Sequence, residues 1–241
     1  MWCASLSHPI YAPLAPWRGL GRSLDALNRA AADADIRTES GRAIRFIAPT
    51  GARGPYELRV HETGRIETRD DNLHDWFNAL CWLAFPRTKA RINAMHAAAL
   101  PGEQGRRGRL RDLLTIFDEG GAVVLCADAE LVQLLREFRW QELFWTQRER
   151  VRQSMRFVVL GHAVLEQALK PWPGITCKAL FASPADDVDA QAAQWLAQVG
   201  AGASPRDLAP LPVFGYPGWT ENQDAAFYED ERYFRPQGKA G

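Results

Sequence analysis

Apolar and polar positions along the chain fall into two rhythms. Leu24, Leu27 and Ala31 recur at helical spacing behind Ser23, a good N-cap, and predict a helix to about residue 34. Residues 43–47 and 56–61 read as strands. Glu62-Thr63-Gly64-Arg65 is a turn signal, so residues 65–69 should return as the second arm of a hairpin. Two helices follow, one over residues 73–85 with Asp71 or Asn72 as its cap and one over residues 86–99. Pro86 stands in the first turn of the second, where a proline loses no hydrogen bond.

Residues 113–117 and 122–126 are strand-like runs flanking Asp118-Glu119-Gly120-Gly121, a hairpin signal that sets both carboxylates at a strand end. Beyond them the pattern predicts helices over 129–138 and 140–152, a buried strand over 156–160 and a helix over 162–170 stopped by Pro171. A strand over 175–181 and a helix over 187–199 complete the regular part. The first 22 residues read as an extended arm packed on the body, and residues 200–241 as an irregular segment rich in Pro, Gly and aromatics. Strands scattered among helices, joined by hairpin-type turns, predict an α+β fold in a single domain over residues 1–241.

Composition narrows the class. At 241 residues, 46% apolar and 24% charged, the chain can bury a sizeable core and is not a disordered protein. The longest apolar run, residues 79–85, falls far short of a membrane span, and no membrane partner is expected. Basic and acidic residues balance at 29 each, which argues against a protein built around the nucleic-acid backbone. The balance is uneven along the chain: residues 181–241 carry nine acidic and four basic groups. Cys3, Cys81, Cys126 and Cys177 are far apart, with no C-x-x-C pair, and read as reduced thiols, two of them inside apolar runs. The start Met1-Trp2-Cys3-Ala4-Ser5 lacks the basic and apolar stretches of a signal peptide, so a cytoplasmic protein is expected.

The candidate chemistry gathers on a few segments. The helix from Leu73 is apolar almost all round after its opening turn, where His74, Asp75 and Asn78 share a small patch. Asp75 would equally serve its own helix N-terminus. Lys89, Asn93 and His96 form a stripe at i, i+4 and i+7 on the next helix, either a solvated face or one turned toward His74. His162 stands where a buried strand hands over to a helix, and Glu166 lies one turn on along the same face. Such a pair can supply two metal ligands, or a base and the group that orients it, or a buried hydrogen-bonded pair. Arg111, Asp112, Asp118 and Glu119 complete the set. Two arginine runs stand apart. Arg106, Arg107, Arg109 and Arg111 form one; Arg148, Arg150, Arg152 and Arg156 form the other, near Trp140, Phe144 and Trp145. They suit a single-stranded nucleic acid, or a solvated face with Glu142 and Glu149 as counter-charges. No P-loop, G-x-G-x-x-G, G-x-S-x-G or H-E-x-x-H sequence is present.

The sequence resembles a bacterial family known as Domain of Unknown Function 3025. The resemblance rests on Leu73-His74-Asp75-Trp76-Phe77-Asn78-Ala79-Leu80 with Phe85-Pro86-Arg87-Thr88-Lys89, on the stretch from Arg109 to Glu119, on Gly161-His162-Ala163-Val164-Leu165-Glu166, and on the stretch from Pro210 to Trp219. It implies a proteobacterial, cytoplasmic protein whose closing Pro/Gly/Trp segment packs as part of the fold, and it brings no activity with it. The adjacent pair His74-Asp75 is also similar to that of the helical metal-dependent phosphohydrolases, but the strands predicted here set the chain apart from those all-helical folds. The expectation drawn from the residues is a metal-assisted hydrolase for a small phosphorylated or nucleotide-like substrate. Its cofactor would be a divalent metal ion on His74, His162, Glu166 and Asp118. Asp75, Asp112 and Glu119 would be further carboxylates at the reacting centre. Asn78, Lys89, Asn93 and Arg111 would meet the substrate, with Lys89 and Arg111 neutralising its charge. Mg²⁺ or Mn²⁺ would prefer the carboxylates, and Zn²⁺ or iron the histidines. The alternative is a non-catalytic module for RNA or a protein partner, using the arginine runs and exposed tryptophans.

Overall fold

The computed structural model describes residues 6–102, 107–184, 187–221 and 223–236. In chain order its first elements are α1 (Leu24–Asp33), β1 (Arg45–Ile47), α2 (Tyr56–Thr63), β2 (Arg65–Glu67), α3 (Leu73–Ala84), α4 (Pro86–Ala99) and α5 (Arg109–Gly120). There follow β3 (Gly121–Cys126), α6 (Ala129–Arg136), α7 (Arg148–Ser154), β4 (Met155–Val159), α8 (His162–Gln167), β5 (Thr176–Ala182), α9 (Val188–Gln198) and β6 (Ala209–Pro212). The fold is α+β, as the pattern predicts. A mixed four-stranded sheet has the order β4-β3-β5-β6, with β3 antiparallel to β4, parallel to β5, and β5 antiparallel to β6. β3 is buried at every position, and α5, α6 and α9 pack against the sheet. Pro210 and Pro212 are tolerated in β6 because it is an edge strand, whose outward N–H groups need no partner.

Two predicted strands are helices. Residues 56–61 belong to α2, which starts after Pro55 and ends on Gly64, a left-handed cap at φ 71° whose N–H donates to the Val60 carbonyl. Only Val60 of this helix is fully buried, so the alternation of Tyr56, Leu58 and Val60 does not record a sheet face. The expected hairpin is instead a parallel pair, β1 with β2, and α2 is the connection between them. Residues 113–117 lie inside α5, where Leu113, Leu114 and Phe117 are buried at helical spacing. Asp118 and Glu119 are therefore on the last turn of a helix, not at a strand end. The following glycine makes the change of direction: a Cβ on Gly121 would lie 2.2 Å from the Phe117 carbonyl oxygen.

The first and last described segments pack on the body. The N-terminal arm is coiled in 3₁₀ turns over Pro9–Trp17, not extended, since its prolines fix φ near the helical value. It buries Leu6, Ile10, Tyr11 and Leu14, and the Tyr11 hydroxyl donates to the Leu165 carbonyl at 3.0 Å. At the other end Gln223 donates to the carbonyls of Phe214 and Tyr216, and Tyr228 donates to that of Gly215. Residues 140–152 contain a π-helical turn, Glu142–Thr146, ahead of α7 in place of one continuous helix. No helix among the described residues is long and apolar enough to cross a membrane.

One local feature sets the position of α4. Phe85 at its N-cap offers no side-chain acceptor, and the first turn is capped from outside. Asp189 of α9 accepts from the backbone N–H groups of Arg87 (2.9 Å) and Thr88 (2.8 Å), while the Thr88 hydroxyl donates to the Asp189 carbonyl. Burial raises the Asp189 carboxyl above its ordinary range despite these bonds.

Candidate functional site

Four helix segments deliver polar side chains to one cavity of about 420 Å³. α8 lies against both α3 and α5, and α4 packs against α5 and α2. The opening turn of α3 supplies His74, Asp75 and Asn78; α4 supplies Lys89, Asn93 and His96; the last turns of α5 supply Thr115, Asp118 and Glu119; and α8 begins with His162. Lys89, Asn93, His96 and His162 are buried, so the α4 stripe is not a solvated face.

The histidines are oriented from behind. His162 sets Nδ1 2.8 Å from the Asp118 carbonyl oxygen, an acceptor, so that nitrogen carries the proton and donates it. His74 sets Nδ1 3.1 Å from Glu166 Oε2, and donates there for the same reason. Their Nε2 atoms then face each other at 3.1 Å. Two unprotonated Nε2 atoms would be two lone pairs in contact, an arrangement that calls for a shared cation. Burial pushes the His162 imidazole down to about 4, only partly offset by Asp118. Glu119 completes the cluster: its carboxylate and the two imidazoles offer ligand atoms that all lie within 4.8 Å of one another. This arrangement depends on a close approach of two backbones. A Cβ on Gly161 would lie 2.5 Å from Gly120 Cα and 2.6 Å from the Glu119 carbonyl oxygen.

Much of the rest of the lining is paired, although Asn93 Oδ1 is buried without a partner among the described residues. Lys89 Nζ donates to Asp118 Oδ1 at 2.5 Å and to Asn78 Oδ1 at 2.7 Å. Burial would raise the Asp118 carboxyl, but the Lys89 ammonium outweighs it and holds it below the usual carboxylate range. Asp75 takes both arms of the Arg69 guanidinium at 2.9 Å and is likewise held low against the effect of burial. Arg111 lies behind the lining: its Nε donates to His96 Nδ1 at 3.2 Å, and its Nη2 stands 3.4 Å from Glu57 Oε1. Since a guanidinium only donates, His96 is neutral with its proton on Nε2, in keeping with burial lowering its pKa to about 4. Asn93 donates to the Glu57 carbonyl at 2.8 Å.

Of the expected residues, the structure brings His74, Asp75, Asn78, Lys89, Asn93, Asp118, Glu119 and His162 to the cavity. Glu166 stands behind His74, bonded to its ring, and Glu119 takes the place beside the two Nε2 atoms. Asp112 points away, paired with Arg107 at 3.3 Å. Tyr56, Glu57, Glu67 and Arg69 also line the cavity, unforeseen because residues 56–69 read as a hairpin. In the second arginine run several groups are engaged within the chain. Arg150 is forked between Asp128 and Glu130, Arg148 lies over Trp145, and Trp140 and Phe144 are buried in the core. Arg106 and Cys3 lie outside the described residues.

Fold and site together define an α+β protein with a half-buried cluster of histidines and carboxylates. The chain belongs to the family described as protein of unknown function DUF3025, which matches residues 44–238. No curated protein and no solved structure matches it.

Proposed function

We propose that the protein is a metal-dependent hydrolase whose ion is held by His74, Glu119 and His162. The observation that carries this reading is the pair of Nε2 atoms 3.1 Å apart, each imidazole having its Nδ1 proton committed elsewhere. Metal-binding histidines are held in this way, by a carboxylate or carbonyl on the far nitrogen. Charge supports it. Of the six carboxylates at or behind the cavity wall, four have cationic partners: Glu57 with Arg111, Glu67 with Arg59, Asp75 with Arg69 and Asp118 with Lys89. Glu119 has no partner among the described residues, and Glu166 has only the His74 ring, so two negative charges are left for a divalent cation. Two imidazoles and one carboxylate form a donor set suited to Zn²⁺ or Fe²⁺ more than to Mg²⁺.

Three protein ligands would leave a position for water, and a bound ion would supply a nucleophile at neutral pH by lowering the pKa of that water toward about 7. Glu166 and the Asp118 carbonyl fix the two rings, Lys89 fixes Asp118, and His96 presents an Nε2–H as a hydrogen-bond donor for the substrate. We take the enzyme to act in the cytoplasm, where Cys81, Cys126 and Cys177, all free and buried, would remain reduced.

The test is elemental analysis of the purified protein beside His162→Ala and Glu119→Gln. About one equivalent of zinc or iron in the wild type, lost in both variants, is expected. No metal in the native protein, with none taken up on addition of Zn²⁺ or Fe²⁺, would refute the metal centre. It would leave the chain Glu166–His74–His162 as a metal-free acid–base pair, the second reading that the same hydrogen bonds favour.

A further inference from the structure

A second groove, of about 660 Å³, adjoins the metal cavity, and Glu119 lines both. Its walls are mixed, with the apolar side chains of Ile116, Phe138, Leu211 and Tyr233 among polar ones, and Ile116 is exposed there. The floor is low: Gly120, Ala163 and Gly174 line it, and Lys178 is paired in register with Gly121 on one side and Pro210 on the other. Three cations line this groove, and their partners differ. Arg232 is bound to Asp230 at 2.5 Å. Lys178, half-buried in β5, and Arg235 at the rim have no acidic partner among the described residues. In the metal cavity, by contrast, Lys89 is tied to a carboxylate, and Arg111 behind the wall faces one. The two cavities therefore differ: the first has carboxylates without a cation, and the second sets two cations, Lys178 and Arg235, against the one unpaired carboxylate of Glu119 at the shared wall.

We infer that the second groove binds the anionic end of an amphipathic small molecule, a carboxylate or phosphate on an apolar body, through Lys178 and Arg235. An uncharged group of the same substrate would then lie at His74, Glu119 and His162. The assignment of the reacting end rests on the metal-dependent reading, whereas the anion site does not. Negative charge is moved out of the metal cavity, where Asp118 and Glu57 already occupy the cations expected to receive it.

The experiment is calorimetric titration of the full chain, with and without bound metal, using phenylpropionate, phenyl phosphate and the neutral analogue phenylpropanol. Both anions should bind more tightly than the alcohol, whether or not metal is present, and whichever binds better identifies the head group. Lys178→Gln and Arg235→Gln should each weaken the anions by on the order of tenfold and leave the alcohol unchanged, while Lys178→Arg retains binding. Arg235 is exposed, so its variant keeps the test open if Lys178→Gln folds poorly. Anions that bind no better than the alcohol would overturn the proposal, and so would affinities that neither variant changes. Metal content measured on the same samples reports on the hydrolase reading separately.

Discussion

Gly161→Ala is the most demanding test of how the site is built. The new methyl carbon would meet Gly120 Cα at 2.5 Å, and Gly120 N and the Glu119 carbonyl oxygen at 2.6 Å. Every one of these is a backbone atom, so no side chain can swing aside. Reaching ordinary contact at 3.4 Å means parting the start of α8 from the end of α5 by about 0.9 Å. That movement opposes the bonds of Leu160 and Gly161 N–H to the Gly121 carbonyl, at 3.0 and 2.9 Å, and carries His162 away from the Asp118 carbonyl. Overpacking of this kind costs about 3 kcal/mol at the upper end of its usual range. With a urea m-value of about 3 kcal/mol/M for a chain of this size, the unfolding midpoint should fall by about 1 M. Zn²⁺ affinity should fall as well, by about 10–100-fold, since ring placement is the quantity disturbed. Gly200→Ala is the control, because nothing lies within 4 Å of a Cβ there and it should cost little. A Gly161→Ala protein with the wild-type midpoint and undiminished Zn²⁺ affinity would refute the argument that this backbone contact positions the centre.

Glu166→Gln keeps the shape of the His74 partner but removes its charge, and should weaken Zn²⁺ binding by about tenfold in a competition titration with a chromophoric chelator. Lys89→Met leaves Asp118 without its cation in the cavity wall, at a cost of about 3 kcal/mol read as a urea midpoint; adding Asp118→Asn should recover most of it, and full additivity of the two would show they do not interact. The folded-state pKa of His96 lies near 4, below the ordinary value of about 6.5, so the unfolded chain protonates first. Metal-free protein should therefore lose stability as pH falls from about 6.5 to about 4. His96→Gln should make that limb shallower by about 1.4 kcal/mol per pH unit, and an unchanged slope would contradict a neutral His96.

The α+β class and the gathering of these polar residues were easier to read than the identity of individual elements. His74, Asp118, Glu119 and His162 stood out because polar groups at the edge of otherwise apolar segments must find partners, and their convergence follows from α8 lying between α3 and α5. The helical identity of residues 109–120 was hidden because Leu113-Leu114-Thr115-Ile116-Phe117 is a continuous apolar run with β-branched members, which looks the same in a buried strand. Its spacing of Leu110, Leu113, Leu114 and Phe117 was the available signal. For α2, Pro55 before and Gly64 after were helix punctuation that a short alternating run outweighed, and with it Tyr56 and Glu57 were lost from the site. The choice of Glu119 over Glu166 beside the Nε2 atoms was not legible, since it depends on which face of His74 meets α8. The parallel pairing of β1 with β2 was equally hidden, because strand direction there is set by how α2 packs on α4.

The cap on α4 has a consequence for the order in which the protein is made. Asp189 lies 101 residues beyond Thr88, and the turn it holds is the one that presents Lys89 to Asp118. During synthesis α3, α4, α5 and α8 all leave the ribosome before the residue that fastens α4 in place. A chain interrupted before α9 would thus carry His74, Glu119 and His162 yet lack the clamp that sets the first turn of α4. Emergence of α9 is therefore the step that fixes the first turn of α4.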